Sequence, residues 1–270
     1  MSEPMRRGAY LCISAPRDAA GALAAPVSAI AARLNLQNEF VASSGHPPDA
    51  VAFLRRDAST AGDIVDEGLS GAEAIVHVAS HDEATVSTFC AEVERSLSGL
   101  ARVQRLSGAV QPTNYTGGAM HEFAYAHQRV QQSGETMANA FLLPLRKLPE
   151  WWAKDWMERH TYFLPRYEHG RMVSEGHPLA AAAGIPALMR RTYRCGDRPP
   201  LDGGYDFLTY FECADADVPT FHAVCAALRD VRRNPEWEFV REGPTWRGRR
   251  MPSWSALWTA SDTVPTTPAR

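Results

Sequence analysis

Tryptophan is absent from the first 150 residues of this 270-residue chain, and all seven tryptophans lie between Trp151 and Trp258. The chain also lacks an excess of either charge, since 28 lysines and arginines face 31 acidic residues for a formal net charge of −3. Without a strong positive field, nucleic acid is not an expected partner. The uneven tryptophan content indicates that the two halves of the chain have different roles.

Long apolar runs are missing as well. The sequence has no stretch of about 18 apolar residues, and its first residues, Met1 to Arg7, lack the basic-then-apolar layout of a secretory signal. We therefore expect a soluble cytoplasmic protein that does not enter a membrane. No Cys-x-x-Cys pair occurs, so the scattered cysteines are expected to be reduced and mostly buried. They are Cys12, Cys90, Cys195, Cys213 and Cys225.

Several enzyme motifs are also absent. The sequence contains no phosphate-binding glycine loop, no Rossmann turn, no His-Glu-x-x-His zinc motif and no nucleophile elbow. Candidate reactive side chains are instead concentrated between Arg146 and Arg194, where arginines, histidines, tyrosines and tryptophans are interleaved.

The order of apolar periodicities predicts the fold class. In the second half, strands are predicted at 138–145, 187–194, 205–213 and 238–241, with helices from Pro149 and over 218–232. This is the β-α-β-β-α-β order of ferredoxin-like units. The first half is a looser copy, with strands at 9–14, 72–79 and 103–110 and helices at 25–34 and 83–97.

We therefore predict an α+β protein in which two ferredoxin-like halves form a dimeric α/β-barrel-like architecture. The predicted boundaries are 8–112 for an N-terminal scaffold half, 113–137 for a connector and 138–250 for the C-terminal half with the candidate site.

A family resemblance enters at the start of the predicted tryptophan-rich helix. Lys147-Leu-Pro-Glu-Trp151-Trp152 resembles the Lys-x-x-x-Trp-Trp element with which chlorite dismutases open the helix over their haem. Residues 205–212 and the later Gly243-Pro-Thr-x-x-Gly248 are similar to the closing strand-helix-strand of that family. The resemblance covers roughly 138–250, and the first half fits as the family's degenerate N-terminal repeat.

The resemblance implies a haem b enzyme that decomposes chlorite to chloride and dioxygen, or carries out related peroxidase-type chemistry on a small-molecule or oxyanion substrate. It implies that His177 is the axial iron ligand and that Arg190, thirteen residues later, holds the oxyanion. It further implies that Lys147 meets the haem propionates, that Trp151 and Trp152 wall the porphyrin, and that the protein is a homo-oligomer. The residue types suit these roles, because neutral imidazole is a common axial donor and guanidinium is a permanent cation that can fork onto an oxyanion.

Three departures from the family pattern accompany this assignment. The chain between Trp152 and His177 is longer than the resemblance implies, with the excess near 158–170, so His160 is the competing ligand. Counting back from Arg190 favours His177. Arg233 is expected where the family has a glutamate that accepts the second proton of the axial imidazole, which would leave a weaker donor.

The third departure is Pro178, which places the ligand at a helix break. In addition, Leu143 is expected where a haem-decarboxylating branch of the family has a tyrosine, so no tyrosyl radical is expected at that position.

Two other functions stay open. Trp156-Met-Glu-Arg-His160-x-x-x-x-Pro165 resembles a helix of cofactor-free barrel enzymes, which include isomerases, cyclases and monooxygenases. There His160 would be a general base for a small apolar or aromatic substrate, with Tyr162 or Arg166 stabilising an enolate. Alternatively, the inserted segment could shape a haem pocket for an organic substrate.

Overall fold

The structure is a computed structural model, which describes residues 6–15, 23, 26–40, 49–57, 69–110, 137–196 and 204–259. The chain divides into two compact units. The N-terminal unit comprises Gly8–Ala42, His46–Leu106 and Gly248–Arg270, and the C-terminal unit comprises Met1–Arg7, Ser43–Gly45 and Ser107–Arg247. Apart from Met137, the predicted connector lies outside the described residues.

The N-terminal unit has the ferredoxin-like order, with two strands, β2 and β3, that the sequence did not predict. Its elements are β1 (Arg7–Ser14), α1 (Pro26–Arg33), β2 (Gln37–Asn38), β3 (Ala50–Arg56), β4 (Ala74–Ser80), α2 (Glu83–Ser96) and β5 (Arg102–Ala109). The sheet runs β5-β1-β4-β3, and the short β2 lies parallel to β3. The missed strand β3 completes the β-α-β-β-α-β repeat.

One face of this sheet builds the N-terminal core against the two helices. Leu11 and Ile13 alternate along β1, and Phe89 and Val93 recur along α2 at the four-residue spacing of a helix face. Asp82 begins α2, because its carboxylate accepts hydrogen bonds from the backbone N–H groups of residues 84 and 85 at 3.1 Å.

The C-terminal unit repeats this order with an insertion. Its elements are β6 (Asn139–Lys147), α3 (Pro149–Ala153), α4 (Trp156–Thr161), β7 (Arg166–Glu168), β8 (Arg171–Ser174), α5 (Gly176–Ala180), β9 (Met189–Arg194), β10 (Phe207–Cys213), α6 (Val218–Arg229) and β11 (Val240–Glu242). The strands run β9-β10-β6-β11, all antiparallel. This is the ferredoxin-like arrangement, with α4, β7 and β8 lying in the inserted part.

The predicted tryptophan-rich helix is two short helices. Pro149 occupies the first turn of α3, which ends when Lys154 adopts an extended backbone. Asp155 then begins α4, since its side chain accepts a hydrogen bond from the Glu158 backbone N–H at 2.8 Å. A capping aspartate in the middle of the apolar pattern therefore divides one predicted helix into two.

The last strand, β12 (Trp246–Met251), pairs antiparallel with β3 through residues 248–251. Trp254 follows and is fully buried in the N-terminal core, where its ring meets Phe53 edge-on and its indole N–H donates to the Leu23 carbonyl.

All five cysteines are free. Within the described residues, no helix is long and apolar enough to cross a membrane.

Trp254→Ala should lower the free energy of unfolding by about 3–5 kcal/mol, because it opens a large cavity in a close-packed core. Trp156→Ala is the matched control, since that side chain is 52% exposed and should change stability by less than about 0.5 kcal/mol. Urea unfolding followed by circular dichroism measures both values. Equal losses in the two variants would contradict the assignment of Trp254 to the core.

Candidate active site

An apolar cavity of about 110 Å³, open to solvent, lies in the C-terminal unit. Its walls are mainly apolar and come from four strands, two helices and two connecting segments. The lining residues are Leu143, Leu145, Lys147, Phe163, His177, Arg190, Thr192, Phe207, Thr209, Phe211, Cys225, Leu228, Arg229, Glu236, Trp237 and Val240.

The sheet wall of the cavity follows from the two-residue period of β-strands. Alternate residues of β6, beginning at Leu143 and ending at Lys147, face the cavity, as do Arg190 and Thr192 on β9. The register pairs Thr192 with Thr209 of β10 and Arg190 with the next inward residue of that strand, Phe211. One guanidinium, one ammonium and two hydroxyl side chains therefore lie on this mainly apolar wall.

The part of the wall formed by α5 and the Pro235–Phe239 3-10 turn carries an imidazole that contacts a buried carboxylate. His177 Nδ1 lies 2.7 Å from Glu236 Oε2. The other carboxylate oxygen of Glu236, Oε1, accepts a hydrogen bond from the ammonium of Lys147. Glu236 and Lys147 are both about 5% exposed. Three side chains from distant parts of the chain thus form one buried network at the cavity wall.

The protonation of this network follows from its charges. Burial alone would raise the pKa of the Glu236 carboxyl, but the ammonium of Lys147 and the contact with His177 outweigh burial and hold the pKa at about 2. Burial lowers the pKa of Lys147, and Glu236 opposes that change. The carboxylate is therefore a permanent acceptor for the Nδ1 proton of His177.

Lys147 is itself held from several directions. Its backbone N–H donates to Asp206 Oδ2 at 2.7 Å, and its Nζ lies 4.3 Å from the centre of the Trp151 ring. Trp151 is fully buried and packs edge-on against Phe163, which lines the cavity next to the imidazole of His177. Lys147 and Trp151 therefore support the histidine and carboxylate. The resemblance instead assigned Lys147 to cofactor propionates and Trp151 to the wall.

Trp152 is not among the described residues that line the cavity. Its ring stacks on Phe207 with centroids 6.4 Å apart, and the guanidiniums of Arg159 and Arg194 lie 5.7 and 5.2 Å from the Trp152 centroid. The tryptophan among the described residues that line the cavity is Trp237.

The backbone around His177 requires a glycine. Gly176 has a φ of +71°, and a Cβ at that position would lie 2.4 Å from the Phe163 carbonyl oxygen. The backbone N–H groups of Glu175 and Gly176 both donate to the Arg233 carbonyl at 2.9 Å. Pro178 fits the first turn of α5, where no helical N–H is lost.

The expectation that Arg233 occupies the position of the hydrogen-bond acceptor for the His177 imidazole is wrong. The guanidinium of Arg233 is exposed and forms two 2.9 Å hydrogen bonds with Glu175. Glu236, three residues later, occupies the acceptor position instead. Sequence reasoning missed Glu236, although Asn234-Pro235 marks the start of the Pro235–Phe239 3-10 turn that carries it, beyond the end of α6 at Arg229.

The residues of the cofactor-free alternative lie elsewhere. His160 is on the half-exposed α4, Tyr162 packs against Trp151 and Phe239, and Arg166 is exposed on β7. None of the three is among the described residues that line the cavity. The competing histidine therefore faces a different environment from His177.

No protein-family model matches the sequence, and neither does any curated protein sequence. Solved structures do match. Chlorite dismutase from Candidatus Nitrospira defluvii in complex with imidazole has a TM-score of 0.65 and 17% identity, covering 94% of this chain and 93% of that one. Two mutants of the same enzyme also match. One has a TM-score of 0.66 and 16% identity, covering 96% of this chain and 95% of that one. The other, in complex with cyanide, has a TM-score of 0.64 and 16% identity, covering 94% of this chain and 93% of that one.

Glu236→Gln should remove a pH-dependent part of stability. Because the folded pKa of about 2 lies below the ordinary 4.5, the carboxylate contributes stability that is present above pH 4.5 and is lost as pH falls towards 2. The wild type should lose about 3 kcal/mol over this window that the variant does not lose. Urea unfolding at a series of pH values measures the difference.

Glu238→Gln is the matched control, because Glu238 is exposed two residues further on. It should retain the wild-type pH profile. Parallel profiles for wild type and Glu236→Gln would contradict the buried network.

The matches to solved structures extend over nearly the whole chain, but at identities that establish the fold and not the activity. They confirm the predicted α+β fold class with its two ferredoxin-like repeats. The chain therefore has the chlorite dismutase fold, as its resemblance predicted.

Proposed function

We propose that the cavity binds haem b and that the protein is a haem-dependent oxidoreductase of the chlorite dismutase type, which converts chlorite to chloride and dioxygen. The observation that carries this proposal is an imidazole at the wall of an apolar cavity whose Nδ1 contacts a buried carboxylate. Histidines that ligate metals almost always donate their second ring proton to such an acceptor.

The lining of the cavity suits a porphyrin in its chemistry. Its apolar and aromatic side chains, from strands and helices of the C-terminal unit, are the kind that cover a flat apolar macrocycle. Lys147 and Arg229 are lining cations that would meet an acidic porphyrin substituent, and each also has a carboxylate partner. Lys147 contacts Glu236. Arg229 also forms a bidentate ion pair with Glu242, at 2.7 and 2.6 Å.

His177 would hold the haem iron, with support from Glu236 and Lys147. An imidazole that donates its Nδ1 proton to a carboxylate carries its lone pair on Nε2, where an axial ligand needs it. Lys147 keeps Glu236 ionised, so the proton at Nδ1 is always attracted towards the carboxylate. This makes the imidazole a stronger electron donor.

Arg190, on β9 in the sheet wall, would bind the oxyanion substrate. A guanidinium can donate two parallel hydrogen bonds to an oxyanion. The surrounding apolar side chains exclude water and so strengthen this attraction. Haem iron, when bound, would supply oxygen-atom transfer chemistry with chlorite, and Arg190 would hold the chlorine oxyanion in the cavity.

Leu143 bears on the type of haem chemistry. It lines the cavity at the position where the resemblance implies a tyrosine in haem-decarboxylating relatives. Because a leucine cannot form a phenoxyl radical, this position favours oxyanion chemistry over decarboxylation.

His177→Ala should abolish haem binding, because the axial donor is lost. Titration of the purified protein with hemin, followed by the Soret band, measures this directly. His160→Ala is the control and should bind haem like the wild type, since His160 does not line the cavity. A wild-type protein that stays colourless with added hemin would overturn the proposal, and loss of function in His160→Ala alone would favour the cofactor-free alternative.

Arg190→Ala should keep the Soret band and lose most chlorite-dependent oxygen release. Removal of one oxyanion donor typically costs about 10²–10³ in turnover, and an oxygen electrode measures the rate. Arg232→Ala changes an exposed arginine outside the cavity and should leave the rate unchanged. Unaltered oxygen release in Arg190→Ala would rule out the assigned role.

A further inference from the structure

Exposed large apolar side chains are concentrated in one stretch of the described chain. Apart from Val231, all of them lie between residues 156 and 179. They are Trp156, Met157, Leu164, Tyr167, Met172, Val173 and Leu179. An apolar concentration of this kind on a surface commonly marks an interaction site.

The centre of this stretch is a hairpin of two short strands, β7 and β8. They form their own sheet, and no other strand of the described chain pairs with either. His169 and Gly170 at the turn both have positive φ, at 48° and 77°, as a tight two-residue hairpin turn requires. Tyr167 and Met172 are cross-strand partners, and both are exposed.

A two-stranded hairpin alone is marginally stable in water, and an open strand edge is a template for another chain. The order of charges along β7 indicates what that chain is. Arg166, Tyr167 and Glu168 are all exposed. If β7 pairs antiparallel with a copy of itself about Tyr167, Arg166 of each copy lies opposite Glu168 of the other.

The edge of β8 lacks this property. Antiparallel self-pairing of β8 would set Arg171 against Ser174 and provide no acidic partner. Since a two-fold contact uses the same patch on both subunits, each complementary pair occurs twice. The charges therefore favour β7.

For the homo-oligomer that the resemblance implies, we propose a specific contact: β7 pairs antiparallel with β7 of a second copy around Tyr167, with two Arg166–Glu168 ion pairs between the copies. The proposal does not depend on haem, because none of these three residues lines the cavity.

Charge exchange tests the proposal. Arg166→Glu or Glu168→Arg alone replaces two opposite-charge pairs by two like-charge pairs, which should weaken self-association about tenfold. The double variant Arg166→Glu/Glu168→Arg restores opposite charges in exchanged positions and should return the dissociation constant to within about threefold of wild type. Sedimentation velocity over a concentration series measures all four proteins.

Arg232→Glu, an exposed charge change outside the hairpin, is the control and should associate like the wild type. Circular dichroism and hemin titration show whether each variant keeps its fold and its cavity. A monomeric wild type, single variants that associate normally, or a double variant as weak as the singles would each overturn the proposal. Failure to bind hemin would instead count only against the proposed function.

Discussion

The carboxylate of Glu236 is the constraint on which the site depends. An ionised carboxylate that is almost fully buried is costly unless each of its oxygens has a partner. Lys147 contacts one oxygen and His177 the other. The three residues come from the end of β6, the start of α5 and the turn after α6, so satisfying one charge fixes three separate segments around the cavity. Removing any one of them would leave a buried charge with an incomplete set of partners.

The surrounding packing can be understood as support for this network. Asp206 holds the backbone of Lys147, and the face of Trp151 covers its ammonium. Gly176 lets the chain pass close to the Phe163 carbonyl, which sets the position of the neighbouring His177. The inserted segment thus contributes Phe163 to the site, while its own histidine, His160, stays outside the cavity. The inserted segment, which carries the competing histidine, therefore packs against His177 through Phe163.

The fold was more predictable from the sequence than the site contacts. Strand and helix periodicities located nearly every element of the two repeats, because apolar alternation depends on local spacing alone. The strand β3 was missed, since a short apolar run that ends in Arg55-Arg56 does not show a clear period. His177 and Arg190 could be paired from their spacing, but Glu236 could not be paired with His177. Fifty-nine residues separate them. The family pattern pointed to Arg233 instead, because the sequence did not reveal that the helix ends at Arg229 and that a separate 3-10 turn carries Glu236.

The uneven distribution of tryptophan has a structural meaning that composition alone did not reveal. The first 150 residues lack tryptophan, yet the N-terminal core contains one, because Trp254 enters it from the far end of the chain and donates to Leu23. The N-terminal unit therefore depends on the C-terminal segment for its largest core side chain, and it is not an independent product of the first half of the sequence. In the C-terminal unit, Trp151 is equally buried but lies under a lysine of the buried network. The same residue type thus closes a core in one unit and supports a charge in the other, and only the contacts distinguish the two roles.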